Sequence, residues 1–514
     1  MVLALVLAAL VISGCLIRIW IFGNAPINSD EATAGLMAHQ IILGHTYAFF
    51  WGQSYGGVEP YVLALNFWLF GQSPFVLSIT PSILALVISV LVWRLGLRLF
   101  QPAAAVTAAV LSWIWSESTL WNSTRETGFR EMTPLLGLVV LLQAVRIVQT
   151  ARNKGEDRII DWAILGAAAG LGFWSSPEIV YFAVPGILIV ARTLRRSPSA
   201  VIPRLAVASL ACVVGALPWI WATLTRHGLA IPPSPDPYFS RLGTFFGHVL
   251  PMLLGIRVEG VGLWEGGRTF GWVAYVVVLT VLVSEGVMIA IRVPDARFLV
   301  ATLILFPALY AAFPTSWFWN DGRYAISLTP ILSLVVAGGL WQILRPAVAT
   351  WVGSAVLLVA LVSTLVAFND GYGAITGHDE LTSFSSNPNP AITTLAWQLN
   401  RMGVTHAYAG YWVANYLTLV SDNRITGVAL DEDRNPPGAT NVGSHPGWIF
   451  VPADSIAADS AQLGSVSNLE PGSTSEAELI AWLKGSKVSY RSVSTGNFDV
   501  ILPSKRVEPY QIVG

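Results

Sequence analysis

Long apolar runs recur along the first 368 residues of this 514-residue chain and constrain its fold more than any other feature. A helix needs about 20 apolar residues to cross a lipid bilayer. Only 11% of the residues are charged, against about 25% in a soluble domain. This excludes a soluble enzyme, a nucleic-acid-binding protein and a disordered protein. We predict a mostly α, polytopic membrane protein of about eleven transmembrane helices, at residues 2–22, 75–95, 102–120, 132–150, 160–175, 178–194, 204–224, 270–291, 297–313, 324–343 and 348–368.

Basic residues between these runs predict the orientation of the chain. With the N-terminus in the cytoplasm, the inner loops of the membrane part carry 13 Arg and Lys residues and the outer side carries 8, as expected for cytoplasmic loops. The apolar segment Pro60–Gly71 is too short to span, and counting it would invert every later loop. We therefore predict a re-entrant or interfacial helix there.

The end of the chain has a different character. Residues from about 368 onward carry 14 of the 30 acidic residues, and helix-like and strand-like segments alternate along them. This alternation is typical of a small α/β domain. We predict a transmembrane domain at 1–368, whose outer loop is 23–74, and an extracytoplasmic α/β domain at 369–514, with Asn387–Pro390 as a linker.

Acidic residues of the membrane part concentrate near the predicted outer face and not at mid-bilayer depth. A proton-coupled transporter more often places ionisable groups in mid-membrane, so this distribution favours an enzyme that works at the outer leaflet. A transporter or lipid flippase, and a non-catalytic scaffold of the cell envelope, remain as alternatives.

The first outer loop contains the most informative acids. Asp30 and Glu31 begin an amphipathic helix predicted at 31–43. Either Ser29 or Asp30 caps this helix, or Asp30 is a carboxylate held at the membrane surface as a general base. Glu59 follows two glycines and is either a loop acid or a ligand-binding residue.

Two arginines lie between the third and fourth runs, next to two further acids. Arg125, Glu126, Arg130 and Glu131 form either a solvated salt-bridge cluster or part of a phosphate or sugar site. His39 and His45 are six residues apart, which is not the spacing of a helical metal pair. No spacing of potential ligands requires a metal site, although the acidic cluster could hold a divalent ion.

Four motifs, taken in order, resemble a known family. Asp30-Glu31-Ala32 begins an outer helix, a short apolar helix ends at Leu69-Phe70-Gly71, and a span ends in WRLGLRLF at 93–100. A late span follows Asn320-Asp321-Gly322-Arg323-Tyr324 and contains Pro330. Over roughly residues 10–345 the chain resembles the GT-C membrane glycosyltransferases, and among them the bacterial relatives of the dolichyl-phosphate-mannose protein mannosyltransferases.

The resemblance implies a reaction and its participants. A sugar, mannose or another hexose or pentose, would move with inversion from a polyprenyl-phosphate carrier to an acceptor hydroxyl at the outer face of a bacterial plasma membrane. The acceptor would be a protein, a lipid or a polysaccharide, and no cofactor would be required. Asp30 and Glu31 would be catalytic, while the donor phosphate and substrate would be bound by Arg323, Tyr324, Glu59, Arg125 and Arg130.

The predicted orientation is testable by proteolysis. Because residues 369–514 are expected on the outer side, a protease added to intact spheroplasts should cut them. Cleavage that begins only after the membrane is permeabilised would show that the topology is inverted.

Overall fold

The computed structural model describes residues 2–24, 27–153, 158–194, 198–226, 234–259, 262–317, 322–376, 390–430, 446–450, 475–495 and 498–512. The run predicted at 102–120 is not one helix, because residues 115 and 116 are extended and a separate short helix begins at Glu117. The helix predicted from residue 324 begins at Thr329, after two 3-10 turns. Eleven helices nevertheless cover most of each predicted run. Their bounds are α1 Val2–Asn24, α4 Pro74–Leu99, α5 Pro102–Ile114, α7 Met132–Arg152, α8 Ile159–Ser175, α9 Val180–Leu194, α10 Pro198–Arg226, α13 Arg268–Arg292, α14 Arg297–Ala312, α15 Thr329–Ile343 and α16 Pro346–Thr376.

Eight of the helical segments in the described chain are long and apolar enough to cross a membrane. The helices at 102–114, 159–175 and 177–191 are apolar but shorter. The chain is thus an integral membrane protein, and the count of eleven spans stays a prediction. The helix of the last predicted span continues past residue 368, to Thr376.

Shorter helices lie between the long ones. They are α2 Ser29–Ile42, α3 Glu59–Phe70, α6 Glu117–Asn122, α11 Tyr238–Thr244 and α12 Leu250–Leu253. The short apolar helix predicted at 60–71 is therefore α3. Its C-terminal end exposes Trp68 and Phe70 by 71% and 67%. Exposed aromatic rings at a helix end suit a membrane interface, so its interfacial or re-entrant placement remains our prediction.

Small residues allow α8 and α10 to pack backbone against backbone. A Cβ on Gly166 would lie 1.9 Å from the Ala208 carbonyl oxygen, and one on Gly170 would lie 2.0 Å from that of Cys212. These two glycines are four residues apart on one helix face, the spacing that lets membrane helices approach closely.

The C-terminal part contains the predicted alternation of helices and strands. The helices are α17 Pro390–Arg401, α18 Tyr411–Val420 and α19 Glu476–Gly485, and the strands are β1 His406–Ala409, β2 Thr426–Ala429, β3 Gly447–Phe450, β4 Tyr490–Thr495 and β5 Phe498–Pro503. The sheet order is β2-β1-β3-β5-β4. Strands β1, β2 and β3 are parallel, while β5 is antiparallel to β3 and β4. The predicted linker at 387–390 begins outside the described residues.

One hydrophobic core joins the C-terminal part to the loop between α1 and α4, which contains α2 and α3. Met37 of α2 and Leu63 of α3 belong to the same buried cluster as Leu395, Leu417 and Val500. Because the α/β part and helices α2 and α3 share this core, α18 has a fixed position beside α2.

A substitution at Gly166 tests the close packing of α8 on α10. Gly166→Ala should destabilise the protein by roughly 1–3 kcal/mol, because its methyl group has no room beside a backbone carbonyl. Gly23→Ala is the matched control, since a Cβ there meets no atom within 4 Å. Thermal unfolding in detergent should show a lower melting temperature for Gly166→Ala alone; equal melting temperatures would contradict the packing.

Candidate functional site

A capping box fixes the start of α2. The side chain of Asn28 accepts a hydrogen bond from the Glu31 backbone N–H at 3.0 Å, and the Glu31 carboxylate accepts one from the Asn28 N–H at 2.9 Å. Asn28 therefore caps the helix, and the prediction that Ser29 or Asp30 caps it is wrong. The carboxylate of Asp30 is consequently not used by the cap.

Asp30 instead meets Arg323, which lies 293 residues further along the chain. The Arg323 Nη1 donates to Asp30 Oδ2 at 2.7 Å, and the Tyr411 hydroxyl donates to Asp30 Oδ1 at 2.5 Å. The side chains of Asp30 and Arg323 are 13% and 17% exposed. The structure thus brings together the two residues predicted as base and phosphate ligand, at a place that solvent reaches.

Glu259 stabilises the turn that carries Arg323. Its carboxylate accepts from the Gly322 backbone N–H at 3.1 Å and from Asn122 Nδ2 at 2.8 Å. A Cβ on Gly322 would lie 2.1 Å from Ser118 Oγ and 2.9 Å from Glu259 Oε2, so a larger residue there would displace these side chains. Residues 320 and 321 of the predicted motif lie outside the described chain.

The second predicted acid, Glu31, is buried with no exposed surface. Arg125 Nη1 donates to its carboxylate at 2.9 Å, and the guanidinium carbon of Arg125 lies 4.4 Å from the centre of the Trp121 ring. Burial raises the pKa of Glu31, and the nearby Arg125 opposes this rise. A carboxylate that is both capping a helix and buried in an ion pair is out of an acceptor's reach, which argues against a catalytic role for Glu31.

Arg130 is buried as well, and its Nη1 lies 3.1 Å from both carboxylate oxygens of Glu178. Its guanidinium carbon is 4.1 Å from the centre of the Tyr324 ring, and that of Arg323 is 5.2 Å from the same ring. The two cations therefore flank one aromatic residue. Since Arg125 and Arg130 are 4% and 3% exposed, the alternative of a solvated salt-bridge cluster is wrong.

Glu59, the remaining predicted site residue, lies among other buried acids. It accepts from the Met132 N–H at 3.1 Å and shares a hydrogen bond with the carboxyl group of Glu126. Two carboxyl groups can share a hydrogen bond only when one is protonated. Burial raises the pKa of both groups, so the pair carries at most one negative charge near neutrality. Glu59 thus joins the loop to the start of α7, and its role in binding substrate stays a prediction.

Sequence reasoning missed Tyr411 and Glu259 as parts of this site. A signal existed for Glu259, which is one of the acids near the predicted outer face. Nothing in the sequence connects Tyr411 to α2. No group of three or more His, Cys, Asp or Glu side chains among the described residues has a geometry that could hold a metal ion.

The buried acids predict how stability depends on pH. Burial, with the nearby charge of Glu59, raises the pKa of Glu131 to about 8, so the folded chain keeps a proton there that the unfolded chain loses above about 4.5. Stability should fall as the pH rises from about 5 to 8, by up to about 1.4 kcal/mol per pH unit for each such group. Glu131→Gln should reduce this fall in melting temperature; an unchanged pH profile would contradict the assignment.

Comparisons with known proteins agree with this architecture. Residues 57–221 match the sequence profile of the family described as dolichyl-phosphate-mannose-protein mannosyltransferase. The crystal structure of ArnT from Cupriavidus metallidurans in the apo state is 11% identical, with a TM-score of 0.62 over 96% of this chain and 97% of that one. ArnT bound to undecaprenyl phosphate is 12% identical, with a TM-score of 0.60 over the same shares. No curated protein sequence matches the chain. The chain therefore has the GT-C fold of membrane glycosyltransferases, as its motifs predicted.

Proposed function

We propose that this protein is a glycosyltransferase that moves a sugar from a polyprenyl-phosphate carrier to an acceptor hydroxyl at the outer face of the membrane. The observation that carries the proposal is the contact between Asp30 and Arg323, two partly exposed and oppositely charged groups at 2.7 Å. A polyprenyl phosphate bound to ArnT, which has the same fold, supports the class of donor.

The two groups match the needs of the reaction. The acceptor oxygen attacks the anomeric carbon and forms a C–O bond, while the bond from that carbon to the phosphate oxygen breaks. The bonding electrons leave with the polyprenyl phosphate, and the proton of the acceptor passes to Asp30. A base within reach of the proton and a cation on the leaving phosphate are sufficient, so the proposed reaction uses no cofactor.

The contact itself suggests an order of events. Arg323 uses its Nη1 to bind Asp30, and a phosphate is a strong competitor because a guanidinium binds its oxygens as a planar fork. A donor phosphate that binds Arg323 would remove the Arg323 hydrogen bond from Asp30 Oδ2. Asp30 therefore becomes available to the acceptor only after the donor has bound.

Neighbouring residues keep Arg323 in place. Tyr324 puts its ring beside the guanidinium groups of both Arg130 and Arg323. Glu178 neutralises Arg130 through both oxygens, which leaves Arg323 as the more accessible cation of the two. We therefore assign the phosphate to Arg323 and a supporting role to Arg130, Arg125 and Glu59.

Asp30→Asn tests the proposal. Turnover should fall about 10²–10⁴-fold, because the amide cannot take the acceptor's proton. Affinity for undecaprenyl phosphate should rise, roughly two- to fivefold, because an intramolecular competitor for Arg323 is lost. The measurements are transfer from a panel of polyprenyl-phosphate sugars and binding of undecaprenyl phosphate, both with purified protein in detergent.

The matched control is Asp295→Asn, which breaks another Asp–Arg contact of 2.7 Å, with Arg152, on the predicted cytoplasmic side. Its turnover should equal that of the wild type. Normal turnover of Asp30→Asn would refute the base. The companion variant Arg323→Lys should lose carrier affinity and rate, whereas unchanged values would make Arg323 an interfacial residue without a catalytic role.

A further inference from the structure

The C-terminal part of the chain contributes a side chain to the candidate site. Tyr411 is the first residue of α18 and is 3% exposed. Its hydroxyl donates to Asp30 Oδ1, while Arg323 donates to Asp30 Oδ2. Each oxygen of the carboxylate thus has its own donor, one from the membrane part and one from the α/β part.

Further polar contacts fix Tyr411 against α2. Ser29 Oγ donates to the Tyr411 carbonyl oxygen at 2.6 Å, and Asn415 Nδ2 donates to Thr33 Oγ1 at 2.8 Å. The Tyr411 hydroxyl is also 3.3 Å from Thr33 Oγ1. These bonds lie on successive turns of the two helices, and the shared hydrophobic core lies beside them. These contacts hold Tyr411 in a fixed position against the first two turns of α2.

We infer that Tyr411 is a positioning residue for Asp30, an inference that rests on the proposed function. When a donor phosphate draws Arg323 away, the bond from Tyr411 remains and holds Oδ1. Because Oδ1 is held, the carboxylate keeps its orientation, and Oδ2 takes the proton of the acceptor from a fixed direction. Tyr411 acts through Asp30 and touches neither substrate, so its hydroxyl controls the rate of the chemical step and not the binding of the donor.

Tyr411→Phe tests this role, because it removes the hydroxyl and keeps the buried ring. The value of kcat should fall roughly 10- to 100-fold, the worth of a hydrogen bond to a charged group. The KM for the donor should stay within about twofold, since Arg323 is untouched. A purely structural role would change the melting temperature without this split between kcat and KM.

Tyr408→Phe is the matched control. Tyr408 lies on β1 of the same α/β part and is 3% exposed, and its hydroxyl donates a hydrogen bond to Glu508, outside the site. Its loss should leave kcat unchanged. Should Tyr411→Phe fail to fold, Ser29→Ala removes the bond to the Tyr411 backbone instead, and it should give a smaller loss confined to kcat.

A double variant separates this inference from the proposed function. In an Asp30→Asn background, Tyr411→Phe should cause no further loss, because residues that act as a unit are not additive. Losses that multiply would overturn the positioning role. If Asp30→Asn is inactive and Tyr411→Phe keeps the wild-type kcat, the inference alone fails; if Asp30→Asn keeps its turnover, the proposed function fails first.

Discussion

Pairing of buried charges organises the candidate site of this protein, on the side of the membrane that the sequence predicts to be outer. Removing a charge from water costs several kcal/mol unless a partner and hydrogen bonds compensate for it. Glu31 with Arg125, and Glu178 with Arg130, meet this requirement in nearly complete burial. These two pairs connect α2 to the segment after α6, and that segment to the start of α9. Asp30 is next to Glu31 in the chain, and Arg323 shares the Tyr324 ring with Arg130. The Asp30–Arg323 pair is partly exposed, so a ligand can exchange with it at low cost.

Glu59, Glu126 and Glu131 form no ion pair among the described residues, and they are accommodated by protonation. Burial raises the pKa of Glu59, Glu126 and Glu131, and neutral carboxyl groups can donate as well as accept hydrogen bonds. The site therefore has fewer negative charges near neutrality than its composition suggests. This matters for the proposed donor, because a polyprenyl phosphate would be repelled by a cluster of ionised carboxylates.

The α/β part packs directly on the membrane part and contributes to the candidate site. It shares a hydrophobic core with α2 and α3 and supplies Tyr411 to the carboxylate of Asp30. The same α2 that begins with Asp30 thus packs on α18. A ligand that approaches Asp30 would therefore contact residues of both parts, which is a physical reason for the α/β part to be joined to this membrane fold.

Periodicity and composition determined much of the architecture. The apolar runs became helices because a chain in lipid must satisfy its backbone hydrogen bonds internally, and the alternation of helix-like and strand-like segments after residue 368 became helices and the strands of one sheet. Asp30 and Arg323 were singled out through their motifs. The sequence could not show that they touch, that Asn28 is the cap, or that Arg125 and Arg130 are buried. Those facts depend on how helices far apart in the chain pack together, as the 381-residue separation of Asp30 and Tyr411 illustrates, and local patterns carry no information about such distances.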